Sequence, residues 1–407
     1  MSRLRYSTSD ATSLESRTRS EHGFPDAEAS LISVGAAKLS RASKLRDVLS
    51  YLGTKNPLPS PVGKDDVVWL MDNVAFRSSA GGPWQAEFVA ATFSSKVSAR
   101  FVDAVGDVAD AVGLARGDAE EAVIEHRIVP FVMDILPGKQ VKVNFEGTTL
   151  KLGPGGRNAI SSDLKKVPGP PKGEGTRVIE SRAEVPEGAM GILEMKTFFA
   201  EPEGWGVISD IDDTIKITQT SDPTGILRST FVADPTPVAG MPELYAYLQT
   251  LVTKTAPWFY LSASPYNLYS FLREFRDAHY PHGQLILRDA SWMTIPGLLS
   301  NLTLGTEQYK IDRINKVHRW LPRRRMILIG DSTQSDPEAY GEIYRQHKKW
   351  VKLILIRKVT DIAAIGTEEK NAPARFEKAF EGVPGDMWYV FEDPAECQEI
   401  LHKVVSS

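Results

Sequence analysis

The stretch Val207-Ile208-Ser209-Asp210-Ile211-Asp212-Asp213-Thr214-Ile215-Lys216 constrains this chain more than any other. A short apolar run ends in three carboxylates within four positions. Carboxylates this close repel unless a cation lies between them or one keeps a proton. On an extended strand end, residues i and i+2 face the same way, so Asp210 and Asp212 share a side and Asp213 points elsewhere. The spacing Asp-x-Asp-x-Thr suits a site where Asp210 and Asp212 both face one Mg²⁺ and one phosphoryl group. The same residues would also make an acidic turn after a strand, since Asp commonly opens turns. The rest of the chain separates the two.

With 407 residues, the chain is too long for one small core, and about two or three domains are expected. A formal charge of -4 gives no global pull toward nucleic acid, so no nucleic-acid partner is expected. The single cysteine, Cys397, excludes an intrachain disulfide and fits a reducing, cytoplasmic setting. With Ile400, Leu401 and Val404 it forms a helical stripe, which predicts a core-facing thiol. The N-terminus has no signal-peptide pattern, and no apolar run reaches the roughly 18 residues of a spanning helix. Membrane contact is therefore expected to be peripheral.

Residues 1–60 read as a largely disordered tail, with an amphipathic helix around Leu45, Val48, Leu49 and Leu52 and a proline-containing linker after it. That helix would either dock on the folded body or lie on an anionic membrane. Residues 61–203 read as a mainly β, sandwich-like domain. Val67–Phe76, Ala86–Phe93, Val123–Ile135, Gln140–Phe145, Val178–Val185 and Gly191–Phe199 are its predicted strands, with a helix over Ser98–Val112. Leu136-Pro137-Gly138-Lys139 is the predicted turn of a hairpin. Over 204–407 the pattern changes to alternating strand and helix. Apolar runs at 206–209, 258–261, 285–287, 326–329 and 351–356 predict a parallel α/β sheet. Ligands in such sheets bind beyond the carboxyl ends of the strands.

Those strand ends carry polar chemistry. After Asp210, the second run ends in Ser262-Ala263-Ser264-Pro265, where a hydroxyl and backbone N–H groups can hold phosphate oxygens. The fourth ends in Gly330-Asp331-Ser332 with Asp336 close behind, a natural hard-cation set. Lys310 opens a predicted helix over 310–320, against the usual dipole preference. It reads either as a working residue or as a solvated lysine.

Acid, hydroxyl, lysine and acid, in this order, resemble the haloacid dehalogenase superfamily. The wording Ser209–Lys216, Phe259–Tyr266, Leu285–Asp289 and Gly330–Ser332 with Asp336-Pro337-Glu338 resembles the fungal actin-patch phosphatidate phosphatase family. Trp69–Asn73 and Trp84–Phe88 resemble its N-terminal region, while Ala263 and Tyr266 stand where the family often has Asn and Trp. The resemblance implies a haloacid-dehalogenase-like catalytic domain with a minimal cap, and Mg²⁺-dependent hydrolysis of phosphatidate to diacylglycerol. Asp210 would be the nucleophile and Asp212 the general acid and base. Mg²⁺ would be held by Asp210, the Asp212 carbonyl and Asp331, with Asp336 assisting the metal or orienting Lys310. Ser262 and Lys310 would hold the phosphoryl group, and Thr214 would fix the turn beside it. Expected partners are anionic phospholipid at a membrane surface and endocytic or cortical actin-patch proteins. A phosphatase of soluble phosphomonoesters or phosphoproteins, and an inactive scaffold, are the alternatives. Ile226, Leu227, Phe231 and Val232 suggest either an apolar flap or ordinary packing. Arg323-Arg324-Arg325 and His347-Lys348-Lys349 suggest lipid contacts or charged turns.

Overall fold

The computed structural model describes residues 58–406 apart from 98–100, 115–118, 157, 171–177, 254, 289–305 and 361–365. The predicted N-terminal tail and its amphipathic helix lie outside the described residues.

The first part of the chain is mainly β. Strands β1 (Ser60–Pro61), β2 (Asp66–Leu70), β3 (Asn73–Phe76) and β4 (Gln85–Val97) precede helices α1 (Phe101–Ala111) and α2 (Ala119–Val132). Strands β5 (Met133–Ile135), β6 (Lys139–Phe145), β7 (Thr148–Leu152), β8 (Ile160–Lys166), β9 (Val178–Ala183), β10 (Met190–Ile192) and β11 (Glu194–Ala200) follow. They join in one branched, mostly antiparallel array in which β4 pairs with β2, β3, β5 and β8.

Two expectations fail here. Val123–Ile135 is largely helix α2, not a strand. Its valines, isoleucines and Phe131 favour a strand locally, but Ile124, Ile128 and Phe131 are buried on one helical side, and that packing wins over propensity. The 136–139 turn joins no hairpin either, because β5 pairs with β4 while β6 pairs with β7 and β9.

The second part is a six-stranded parallel sheet. Its strands are β12 (Trp205–Asp210), β13 (Trp258–Pro265), β14 (Gln284–Arg288), β15 (Arg325–Asp331), β16 (Val351–Arg357) and β17 (Trp388–Phe391). Their spatial order is β14-β13-β12-β15-β16-β17, the doubly wound order in which the chain reverses direction across the sheet beside the first strand. The helices are α3 (Pro223–Leu227), α4 (Met241–Val252), α5 (Tyr269–His279), α6 (Thr306–Trp320), α7 (Asp336–Gln346), α8 (Thr367–Lys370), α9 (Pro373–Ala379) and α10 (Cys397–Ser406).

Strand alternation sorts the two faces. Val207, Trp258, Tyr260, Ile327, Ile329, Leu353 and Leu355 pack toward α4, α5 and α10. Their neighbours Ile208, Phe259, Leu261, Met326, Leu328, Ile354 and Ile356 pack toward α6, α7 and α9. Near-continuous apolar runs are what a strand covered on both faces requires. Cys397 is fully buried, as its stripe predicts, and burial pushes its thiol up to about 12.

The β region and the parallel sheet share one core. Val105, Val108, Ile124, Ile128 and Phe131 of α1 and α2 pack with Ile211, Ile226 and Phe231. Phe131 meets Phe231 edge-on, and Arg228 donates to the Val112 carbonyl at 2.8 Å. Ile226, Leu227 and Phe231 are therefore packed inward rather than forming a flap. Asp72, just after β2, is wholly buried between Arg276 (2.9 Å) and Arg273 (3.1 Å) of α5. In the arginine run, Arg324 is buried and donates to the Glu201 carbonyl at 2.8 Å, and Arg325 stacks on Trp205. Both arginines tie the strand start to its neighbours. No helix among the described residues is long and apolar enough to cross a membrane.

Candidate active site

Register brings the motif residues together. Asp210, the last residue of β12, stands opposite Leu261 of β13, and Ser209 stands opposite Ile329 of β15. Ser262 and Asp331 therefore emerge beside Asp210 at the carboxyl ends of three adjacent strands, next to the point where the sheet order reverses. Lys310 reaches the same place from α6. It does not open that helix, as predicted, because α6 begins a turn earlier at Thr306. It is no solvated lysine: its buried Nζ lies 2.7 Å from Asp210 Oδ1 and also donates to Asp336 Oδ1.

Asp336 uses its other oxygen to accept from the Asp331 N–H at 3.1 Å. Gly330 makes that approach feasible. A Cβ there would stand 2.6 Å from Asp336 Oδ2 and 2.7 Å from its Cβ. Gly330→Ala is expected to push Asp336 off Lys310, with an overpacking cost of about 1–3 kcal/mol read in a denaturant midpoint and a drop in turnover.

Thr214 bridges two of the acids, donating toward Asp210 Oδ2 at 3.2 Å and Asp331 Oδ2 at 3.4 Å. Asp331 Oδ1 accepts from the Thr333 N–H and hydroxyl. Asp212 turns to different partners. Ser262 Oγ donates to its Oδ2 at 2.6 Å, and Thr218 Oγ1 to its Oδ1 at 2.8 Å. Asp213 points elsewhere, as its place in the motif predicts. With φ at 60°, it gathers the following loop, accepting from the N–H groups of Thr218, Gln219 and Thr220 and from the Thr220 hydroxyl.

Burial raises the Asp210 carboxyl well above its ordinary value, and the Asp336 charge adds to this. Asp331 is pushed up to about 6 by burial and by Asp336. Burial works against the Lys310 ammonium, but Asp210, Asp336 and Asp331 outweigh it and hold its pKa above normal. Oxygens of Asp210, Asp331 and Asp336 lie within 4.8 Å of one another, all three residues buried. Three carboxylates surround one ammonium, so a surplus of negative charge remains. An all-oxygen, acid-rich set of this kind suits a hard divalent cation.

Some residues of the site carry no signal in the motif reading. Arg375 of α9 is one: its Nε and Nη2 hold Glu338 at 2.8 and 2.9 Å, and its other N–H groups reach the carbonyls of Ser332, Gln334 and Lys370. It clamps the loop that runs from Asp331 to Asp336. Thr218 is another, since a threonine in a polar loop is unremarkable until Asp212 is seen beside it.

The segment that carries this site is also similar to known proteins. Residues 205–358 match the family model described as "Phosphatidate phosphatase APP1, catalytic domain". The chain is also 28% identical, over 260 residues, to the Saccharomyces cerevisiae protein named phosphatidate phosphatase APP1. That match covers 59% of this chain but only 41% of the yeast protein. The resemblance first seen in Asp210–Lys216 is thus a resemblance to the phosphatidate phosphatase APP1 family, carried by the parallel-sheet segment 205–358.

Proposed function

We propose that this chain is a phosphatidate phosphatase, releasing diacylglycerol and phosphate through an aspartyl-phosphate on Asp210. The observation that carries the reading is the buried Asp210 carboxylate, held by Lys310 beside Asp331 at the end of the central strand. The strand order supports a haloacid-dehalogenase-like domain over 204–407, with the β region over 61–203 as a second domain.

An Asp210 oxygen attacks phosphorus, and the bond from phosphorus to the glycerol oxygen breaks. In the free protein Ser262 donates to Asp212 Oδ2. When substrate enters, that hydroxyl turns to a phosphoryl oxygen, Oδ2 takes up a proton in its place, and Asp212 gives that proton to the leaving oxygen as the bond to phosphorus breaks. Asp212 then takes a proton from water as the water displaces Asp210 from phosphorus. Lys310 holds a phosphoryl oxygen and offsets the charge that develops there. Thr214 acts on the substrate through Asp210 and Asp331 rather than by direct contact.

The donor set fits Mg²⁺. Among the described residues, Asp210 Oδ2 and Asp331 Oδ2 meet only the Thr214 hydroxyl, so these two oxygens would hold the ion. Both Asp336 oxygens are taken by Lys310 and the Asp331 N–H, which makes Asp336 the residue that orients Lys310. When bound, Mg²⁺ lowers the repulsion between nucleophile and phosphate. A cytoplasmic, peripheral position on anionic membrane, beside endocytic or actin-patch proteins, accords with such a substrate.

Phosphate release from phosphatidate in mixed micelles tests this. Release is expected with Mg²⁺ and should stop with chelator. Release from a soluble phosphomonoester but not from lipid would keep the chemistry and replace the substrate class.

A further inference from the structure

Lys216 is the buried charge that the mechanism above leaves idle. It is 2% exposed, and among the described residues no carboxylate lies within ion-pair distance of it. Its Nζ donates to Thr218 Oγ1 at 3.0 Å and toward the Ile217 carbonyl at 3.4 Å, and lies 5.6 Å from the centre of the Phe271 ring. A buried ammonium without an ion pair carries a heavy desolvation penalty. Burial accordingly lowers its pKa, with the more distant Asp212 and Asp213 opposing this and Arg127 adding to it. A methionine would fill the same space without that cost.

The contacts around Thr218 show what the charge does. The threonine hydroxyl has one proton. Two acceptors compete for it: Asp212 Oδ1 at 2.8 Å and the Lys216 carbonyl at 3.4 Å. The Lys216 carbonyl is the poorer acceptor, being more distant and already holding the Asp213 N–H at 2.7 Å, and the Lys216 ammonium, which can only donate, occupies a lone pair of Thr218 Oγ1 and so keeps the hydroxyl turned with its proton toward Asp212. With Oδ1 pinned in this way, Oδ2 is the oxygen left to face the substrate once Ser262 turns away.

Building on the general-acid reading of Asp212, we propose that Lys216 is a positioning residue. Acting through the Thr218 hydroxyl, it fixes the Asp212 carboxylate in the rotamer that protonates the leaving oxygen. Its contribution then depends on how much the leaving group needs a proton. A glycerol alkoxide needs one, whereas nitrophenolate departs without it.

The full chain, in Mg²⁺, is assayed for kcat/KM on short-chain phosphatidate and on p-nitrophenyl phosphate. Asp212→Asn sets the scale, with a loss concentrated on phosphatidate. Lys216→Met is expected to lose about tenfold to a hundredfold on phosphatidate, at or below the low end of general acid catalysis because Asp212 itself remains, and less than about threefold on the aryl ester. Thr218→Val should show the same selectivity, and the double variant should lose no more than the larger single loss. The thermal midpoint of Lys216→Met should equal or exceed that of the wild type. Equal losses on both esters, or an unchanged rate on phosphatidate, would overturn the proposal while leaving Asp212 in place. If Asp212→Asn itself loses equally on both, the acid assignment fails and the role of Lys216 fails with it.

Discussion

Asp210→Asn is expected to remove turnover, by at least about a thousandfold, while the protein stays folded. The amide keeps the shape of the side chain and can keep the Thr214 contact, but it cannot form an acyl phosphate. A thousandfold corresponds to about 4 kcal/mol of barrier, which is modest for removal of a nucleophile. Stability should move little or improve. In the free protein Asp210 sits wholly buried beside the Asp336 and Asp331 charges, which disfavour its ionised form. Neutralising it relieves that repulsion, and Lys310 still keeps Asp336 as its partner. Phosphate release and a thermal melt on the same preparation check both halves. A variant that keeps half its rate would remove Asp210 from the nucleophile's role. A variant that unfolds would show that the carboxylate holds the site together instead.

The second large effect lies far from the chemistry. Asp72→Ala should cost about 3–5 kcal/mol of folding stability, the usual result of removing one partner from a buried ion pair. Its carboxylate is inaccessible to solvent and joins Arg273 and Arg276 of α5 to the Lys196 N–H at 2.9 Å on β11. Its own N–H is bonded to the Tyr269 hydroxyl at 2.7 Å. Without it, two guanidinium groups of one helix are left side by side against the junction, and among the described residues Asp277, 2.7 Å from Arg276, is the one carboxylate still paired with them. Asp72→Asn should fall between the two, because it keeps hydrogen bonding but not the charge. The denaturant midpoint measures the change. A shift below about 1 kcal/mol, the scale of an exposed pair, would mean that water reaches the junction.

The parallel sheet was legible in the sequence because its strands are buried on both faces and so read as unbroken apolar runs. Asp210, Ser262 and Asp331 were legible for a related reason. Each ends such a run, and neighbouring parallel strands bring their ends together. Lys310 was found through its position between strands, but its burial was not visible, because the helix start four residues earlier was misplaced. The α1–α2 pair was half legible. Its second helix is rich in β-branched residues, and its form is settled by packing against α1 and against Ile226 and Phe231, roughly 100 residues further on. Thr218 stayed hidden because the irregular loop gathered by Asp213, not a periodic element, turns it back onto Asp212, and Arg375 because its partners are set by tertiary contact. Nothing periodic marks a guanidinium that grips backbone carbonyls about 40 residues earlier in the chain.

The apolar sides of α1 and α2 have a cost during synthesis. Ile128 must wait for Ile226 and Phe231, which leave the ribosome later. At roughly 5–20 residues per second, that delay is about 5–20 s. For this interval the side of the helix pair that Ile226 and Phe231 will cover stays open, while β2 and β4, already made, can cover only the rest, and such a half-covered apolar face is the kind of segment that holdase chaperones capture. Yield in a cell should therefore depend on what shields this hairpin during those seconds as much as on the stability of the finished protein.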